Sequence, residues 1–405
     1  MRAAHPLSPH AFSTLRRLTA LTAVMTLTLT MVSCSIGESN GDPVISSLTA
    51  QKADATVPRN SKSDMDNEPL SSAVGTVSMI TSDENRKKGA VSGDLTTTVV
   101  SRERSTDKFQ WAVSIKPAVA NQERTEYADN AQSAMSENMD RSSTGSAVVS
   151  PDGRYLSLIL LPSEQQSGET AADQRTHIVV LDAQTGKTVR TAEVSGVILG
   201  QALTNSALAV ETAQNYFPAG SGKGTITTFS LTDTSAQPSS FPTDKWLVGA
   251  TRENLVLAPE PFSDNCSYGC SMMTVTLINA DGSTAGSISG VTAVHPGGWI
   301  HRFANPKAAS EYQQRLKAAS DEERKSLSPS REATEEQLVN PSIKKTIHIT
   351  GKNTFERGVP TGPGLLVKQD VPNGKGSTES KPAFWLSAAD DGHPHTENLE
   401  QFKDD

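Results

Sequence analysis

Residues Ser146–Val194 constrain this chain more than any other stretch. Four short apolar runs fall there, at Ala147–Ser150, Tyr155–Leu161, His177–Leu181 and Thr188–Val194. Ser-Pro-Asp-Gly separates the first two, a polar loop the second and third, and Asp-Ala-Gln-Thr-Gly the last two. Runs this short, broken by turn-forming residues, predict four antiparallel strands joined in a meander. The pattern recurs at Lys245–Ser289, whose Asn279-Ala-Asp-Gly turn occupies the place of Asp182-Ala-Gln-Thr-Gly. Both units end in Ser-Gly followed by Val, with one further unit between them, which is the mark of a structural repeat.

Strand-like runs continue on either side. Val74–Thr81, Asp94–Ser101 and Phe109–Ile115 make an earlier unit, and Val197–Leu231 a third. Val291–His295 and Gly298–Ala304 open a fifth, which resumes at Thr346–Thr350. Gly364–Lys368 and Ala383–Ser387 belong to a sixth. Between them, Asn305-Pro306 reads as a helix start with Pro at its first position, and Ser320 with Glu323 as a capping box. Residues 121–145 break the strand pattern as a loop or short helix. At about 40–45 residues per blade, the expected fold is all-β: a β-propeller of six or seven four-stranded blades over 73–405, with a small helical insertion at about 306–338. A closed ring would pair a strand near Val74–Ile80 with the last blade. The competing architecture is a pair of β-sandwiches.

Composition limits the partners. Hydrophobic residues make up 35% of the chain and aromatics 5%, too few for all 405 residues to be packed core. The net charge is −8, and residues 1–33 contain Arg2, Arg16 and Arg17 but no acid, so the remainder is more acidic still. An acidic surface argues against nucleic acid as a partner and against electrostatic docking on anionic lipid.

The N-terminus predicts export. Arg16-Arg17 precedes the uncharged stretch Leu18–Val32, followed by Ser33-Cys34. A basic start, a short apolar run and small residues make a signal peptide over 1–33; the run is short of the ~20 residues that span a bilayer. Met31-Val32-Ser33-Cys34 resembles a bacterial lipobox, which implies acylation of Cys34 and a membrane anchor. Ser35–Ser72 is polar and aperiodic, so 34–72 is expected to be a flexible tether with a span of roughly 35 Å. Of the other two cysteines, Cys266 and Cys270 are expected to form a short disulfide outside the cytoplasm. Half of a zinc site is the alternative, for which the usual four ligands are not in view.

Val149-Ser150-Pro151-Asp152-Gly153-Arg154-Tyr155-Leu156 with His177–Lys187 resembles blades of the YVTN and quinoprotein-like propeller superfamily. That resemblance implies ring-closed antiparallel blades that serve as docking scaffolds, ligand binders or, in some members, dehydrogenases. Quinoprotein-type repeats carry a docking Trp on the strand after Asp-x-x-Thr-Gly-Lys. This chain has Thr188-Val189-Arg190-Thr191 there, so quinone-dependent catalysis is not carried over.

Other candidate chemistry reads as structure. Gly220-Ser-Gly-Lys-Gly224 lacks the leading Gly of a phosphate loop and is a hairpin loop. Asp152, Asp182 and Asp281 sit in turns where Asp bonds its own backbone. His393 and His395, beside Asp390-Asp391, read as part of a metal site or as an exposed C-terminal loop; His295 and His301 line a central channel or pack in the core or rim. The charged stretch Lys307–Glu336 is a docking platform or a solvated outgrowth. No catalytic residue, metal ligand or cofactor is assigned. The sequence therefore predicts an extracytoplasmic lipoprotein, held to the cell membrane through a lipid on Cys34, whose propeller is a non-catalytic binding scaffold with envelope proteins as candidate partners. The alternative is a propeller enzyme or small-ligand binder with its site in the central channel.

Overall fold

In the computed structural model, the described residues are 42–59, 69–81, 95–120, 144–161, 173–214, 224–262, 272–349, 353–359, 362–372 and 377–399. The repeat unit is as predicted. Strands β6 (Ala147–Val149), β7 (Tyr155–Ile159), β8 (Arg175–Asp182) and β9 (Thr188–Ser195) form one antiparallel meander in chain order, so the sequence of the repeat is also its order in space.

The first meander precedes it. It holds β1 (Val44–Ser47), helix α1 (Ala50–Thr56), β2 (Leu70–Ser71), β3 (Thr76–Thr81), β4 (Thr97–Arg102) and β5 (Phe109–Lys116), in the sheet order β1-β5-β4-β3-β2. The third is β10 (Val197–Leu203), β11 (Ala207–Ala213), β12 (Gly224–Ser230) and β13 (Ser239–Thr243). A seven-stranded sheet follows: β14 (Trp246–Ala250), β15 (Leu255–Ala258), β16 (Met273–Ile278), β17 (Thr284–His295), β18 (Trp299–Phe303), β19 (Glu336–Asn340) and β20 (Lys345–Ile349). The last is β21 (Asn353–Val359), β22 (Gly362–Pro372) and β23 (Thr378–Ser387), with Trp385 bridging His395 beyond it.

The seven-stranded sheet is two meanders sharing one strand. The first half of β17 pairs with β16 and its second half with β18. Gly290 sits at the change of partner with φ +75°, and a Cβ there would lie 2.5 Å from Pro306. Gly196, between β9 and β10, has φ +94° and the same role. The recurring Ser-Gly-Val is therefore the joint where the chain leaves the outer edge of one meander and begins the next, and it requires glycine.

Six meanders result among the described residues, and their first strands touch in cyclic order: β2, β6, β10, β14, the end of β17, then β21, which returns to β2. This is a β-propeller, all-β as expected. Its sheets pack face to face. Val77, Val99 and Trp111 of the first meet Leu156, Leu158 and Leu181 of the second, and a larger apolar cluster joins the second, third and fourth. Among the described residues, the ring does not close through a strand lent by the N-terminus, as the sequence suggested. β3 stays beside β2 and β4, and the first and last meanders meet through packing of Gly362 on the Ser72 carbonyl.

Two further expectations need correction. The tether expected over 34–72 does not hold for 42–59 and 69–72. β1 adds to the open edge of β5, which supplies its backbone partners, and Ala53 and Val57 of the following segment are buried against Val100 and Ala112. An ion pair fixes this segment: Arg102 donates to Asp54 Oδ1 at 2.8 Å and to the Val57 carbonyl at 2.7 Å. Scattered apolar residues suffice once a sheet edge is there to receive them. The fifth meander also resumes earlier than Thr346, because the polar strand β19 begins at Glu336. The insertion itself is helical: α2 (Pro306–Ala318) is capped by Asn305, α3 (Asp321–Ser326) has the Ser320–Glu323 capping box, and α4 (Arg331–Thr334) closes it. Hydrogen bonds to the Ser320 backbone and hydroxyl hold the Glu323 carboxyl below its usual range. No helix among the described residues is long and apolar enough to cross a membrane.

Candidate functional site

The sequence-predicted residues separate into four places. Cys34, Cys266 and Cys270 lie outside the described residues, as does most of the Gly220–Gly224 loop; Gly224 opens β12. The three turn carboxylates do what their turns require. Asp152 Oδ1 accepts from the Ser150 hydroxyl and the Arg154 amide, Asp182 Oδ1 from the Thr185 amide and hydroxyl, and Asp281 Oδ1 from the Ser283 amide and hydroxyl. The Ser283 hydroxyl, followed by its amide, holds the Asp281 carboxyl below the usual carboxylate range.

These turns are also docking points. Trp111 of β5 lays its ring on Gly186 in the Asp182 turn, where a Cβ would come within 2.6 Å, and its Nε1 donates to Ala183 O at 2.8 Å. Phe241 of β13 covers Gly282 in the Asp281 turn in the same way. Between those two joints, Arg190 of β9 donates to the carbonyls of Ser230 and Ala236 and lies over the Phe229 ring. At each of three successive joints, a large side chain on the outermost or next-to-outermost strand of one blade grips the last turn of the next. Arg190 therefore does the docking at the position where the resemblance predicted Trp.

The turns between the first and second strands of the first four blades interlock at one end of the ring. Ala73 N donates to Gly153 O, Asp152 N to Asn205 Oδ1 and Asn205 N to Arg252 O. The Arg252 guanidinium reaches the carbonyls of Ala388 and Asp390 in the last blade. Inward of these turns, Gln201 is fully buried; its amide oxygen accepts from the Ser157 hydroxyl and its amide nitrogen donates to Gly145 O.

His295 and His301 pack in the joint between the fifth and sixth blades. Both rings lie 4.7 Å from Phe355, and His301 bonds Thr292 on one side and Glu336 on the other. The C-terminal histidines go to separate carboxylates. His393 meets Asp391, whereas His395 sits between Asp390 and Glu397 and stacks on Trp385 at 4.1 Å. The Asp390 hydrogen bond is the main reason that the His395 imidazole is held above its ordinary range. This pairing latches the last segment onto β23.

A groove of about 1210 Å³ runs from the end of the second blade along the third to the fourth, its walls hydroxyl-rich with Thr212, Thr225, Thr243 and Thr276, and Lys245 Nζ donates to Thr276 Oγ1. Behind the Gly224 wall lies Glu211, 1% exposed, whose Oε2 accepts from the Leu247 amide at 2.8 Å. Burial pushes its carboxyl up to about 8, against the pull of that amide. Sequence reasoning missed Glu211, because a single Glu in an apolar strand carries no motif.

The sequence matches no protein-family model and no curated protein. Among solved structures, the chain is similar to the β-propeller domain of the trilobed protease from Pyrococcus furiosus, with 8% identity and a TM-score of 0.34 over 64% of this chain and 72% of that one. It is also similar to the Pyrococcus horikoshii acylaminoacyl peptidase, at 11% identity and a TM-score of 0.35 over 83% of this chain and 53% of that one. A Synechocystis apocarotenoid oxygenase gives 9% identity and a TM-score of 0.30 over 80% of this chain and 90% of that one. The chain thus spans about half the length of the peptidase. Its own strand ladders define the fold.

Proposed function

We propose that the chain is an extracytoplasmic lipoprotein of the YVTN/quinoprotein-like kind, anchored through an acylated Cys34, whose propeller is a non-catalytic scaffold for envelope proteins. The Cys266–Cys270 loop is disulfide-closed in this reading. One observation carries it: a self-capped helical platform, α2 to α4, grows out of a blade hairpin. β18 and β19 are direct neighbours, with Phe303 opposite Glu336, so the blade itself has no need of the intervening 32 residues. Helices that carry their own caps, and that rest on the blade where Pro306 meets Gly290, suit a surface made for a partner.

Two measurements test this. Cys34→Ala is expected to move the protein from the membrane fraction to the soluble one, and an unchanged distribution removes the anchor. Replacing 305–335 by a short Gly/Ser turn is expected to leave thermal unfolding intact and abolish protein–protein crosslinks formed on intact cells. Crosslinks that persist without the platform, or that never form, defeat the scaffold reading.

A further inference from the structure

The placement of β1 and α1 fixes more than a strand edge. Asp42, the first residue of the segment clamped to the first blade, follows Cys34 by eight residues. Fully extended, that stretch reaches at most about 28 Å. A compact unit the length of Asn40–Asp405 is roughly 50 Å across. The leash is thus shorter than the body it holds, and its point of attachment decides which side of the body meets the bilayer.

Resting on the lipidation of Cys34 proposed above, we infer that the outer edge of the first blade, formed by β1 and α1, is the surface held against the lipid headgroups. The clamp is firm: four residue pairs join β1 to β5, and Arg102 locks Asp54 and the Val57 carbonyl from beneath. The chemistry at that edge fits the assignment. Val44 is 61% exposed and is the one exposed large apolar side chain among the described residues; it stands opposite the exposed Lys116. An apolar residue beside a lysine is the pairing that settles at a headgroup boundary.

Headgroup-quenching measurements on the full, acylated chain in phosphatidylglycerol/phosphatidylcholine vesicles test the orientation. A fluorophore is attached at Ser46→Cys on β1 or at Ser287→Cys on the outer strand of the fourth blade, both exposed, in a background of Cys266→Ser and Cys270→Ser. The short reach predicts quenching by spin-labelled headgroups about threefold stronger or more at 46 than at 287. Inserting about 40 Gly/Ser residues after Ser39, with a span of roughly 35 Å, is expected to bring the two sites to within a factor of about two while vesicle binding persists. Equal quenching at both sites in a chain that still floats with vesicles overturns the orientation and leaves the anchor standing. A chain that does not float at all overturns both. If the serine background alters unfolding, a photocrosslinking side chain at the same two positions, read as lipid adducts with both cysteines in place, gives the same comparison.

Discussion

Trp111→Ala is expected to lower the unfolding free energy by about 3–5 kcal/mol. The indole is 7% exposed, fills the joint between the first and second blades beside Leu156 and Leu181, and lies on Gly186. Removing it opens a cavity between sheets whose strands are hydrogen-bonded within themselves and so do not close readily. The buried Ala183 carbonyl also loses its Nε1–H donor, a loss of about 1–3 kcal/mol if nothing replaces it. Trp111→Phe, which keeps most of the ring and loses the donor, is expected to fall between wild type and alanine. Denaturant unfolding measures all three, and an alanine variant within about 1 kcal/mol of wild type would show that the joint does not depend on this ring. Gly186→Ala attacks the same contact from the other side, since φ is +67° and the added carbon meets the indole.

The second large effect depends on pH. Glu211 has an ordinary carboxyl pKa of 4.5 when unfolded and about 8 when folded. Between those values the folded protein binds a proton that the unfolded chain has lost, so stability falls as pH rises through this window and levels off above it. The total is of order several kcal/mol. Glu211→Gln keeps an oxygen for the Leu247 amide and has nothing to titrate. The variant is expected to gain on the wild type steadily from pH 5 to pH 8.5, and parallel melting curves against pH would refute the assignment. His395, held above its ordinary range, also loses its contribution as pH rises, but it does so equally in both proteins and cancels in the difference. The lowered carboxyls of Asp281 and Glu323 act only toward acid pH.

The blade was legible because its signals are local. Apolar runs at strand spacing and Asp-Gly turns lie within a few residues of one another, and the insertion announced itself through Asn305-Pro306 and the Ser320–Glu323 box. β1, β13 and β19 were not legible. They are edge or hairpin strands rich in Ser, Thr, Glu and Gln, and what makes them strands is a neighbour's open ladder. The docking contacts were hidden for the same reason at longer range: Trp111 and its acceptor are 72 residues apart. The Arg190 position was visible as a missing Trp, but its substitute role needed Ser230 and Ala236 brought alongside. For the candidate sites, the turn carboxylates were readable as turns. The Thr-lined groove is assembled from three blades, and Glu211 matters only because the fold buries it.

Gly290 has a mechanical consequence. Because β17 runs unbroken through it, the fourth and fifth blades are held by one continuous strand, each half of which is laddered within its own blade, so they cannot part without bending that strand at Gly290. The joint between the sixth blade and the first has no such shared strand among the described residues; it rests on Gly362 against Ser72 and on Arg104 reaching the Gly362 carbonyl. The ring is a belt with one riveted seam and one buckle. A load applied to it is released at the buckle, and amide exchange should be faster around Ser72 and Gly362 than around Gly290.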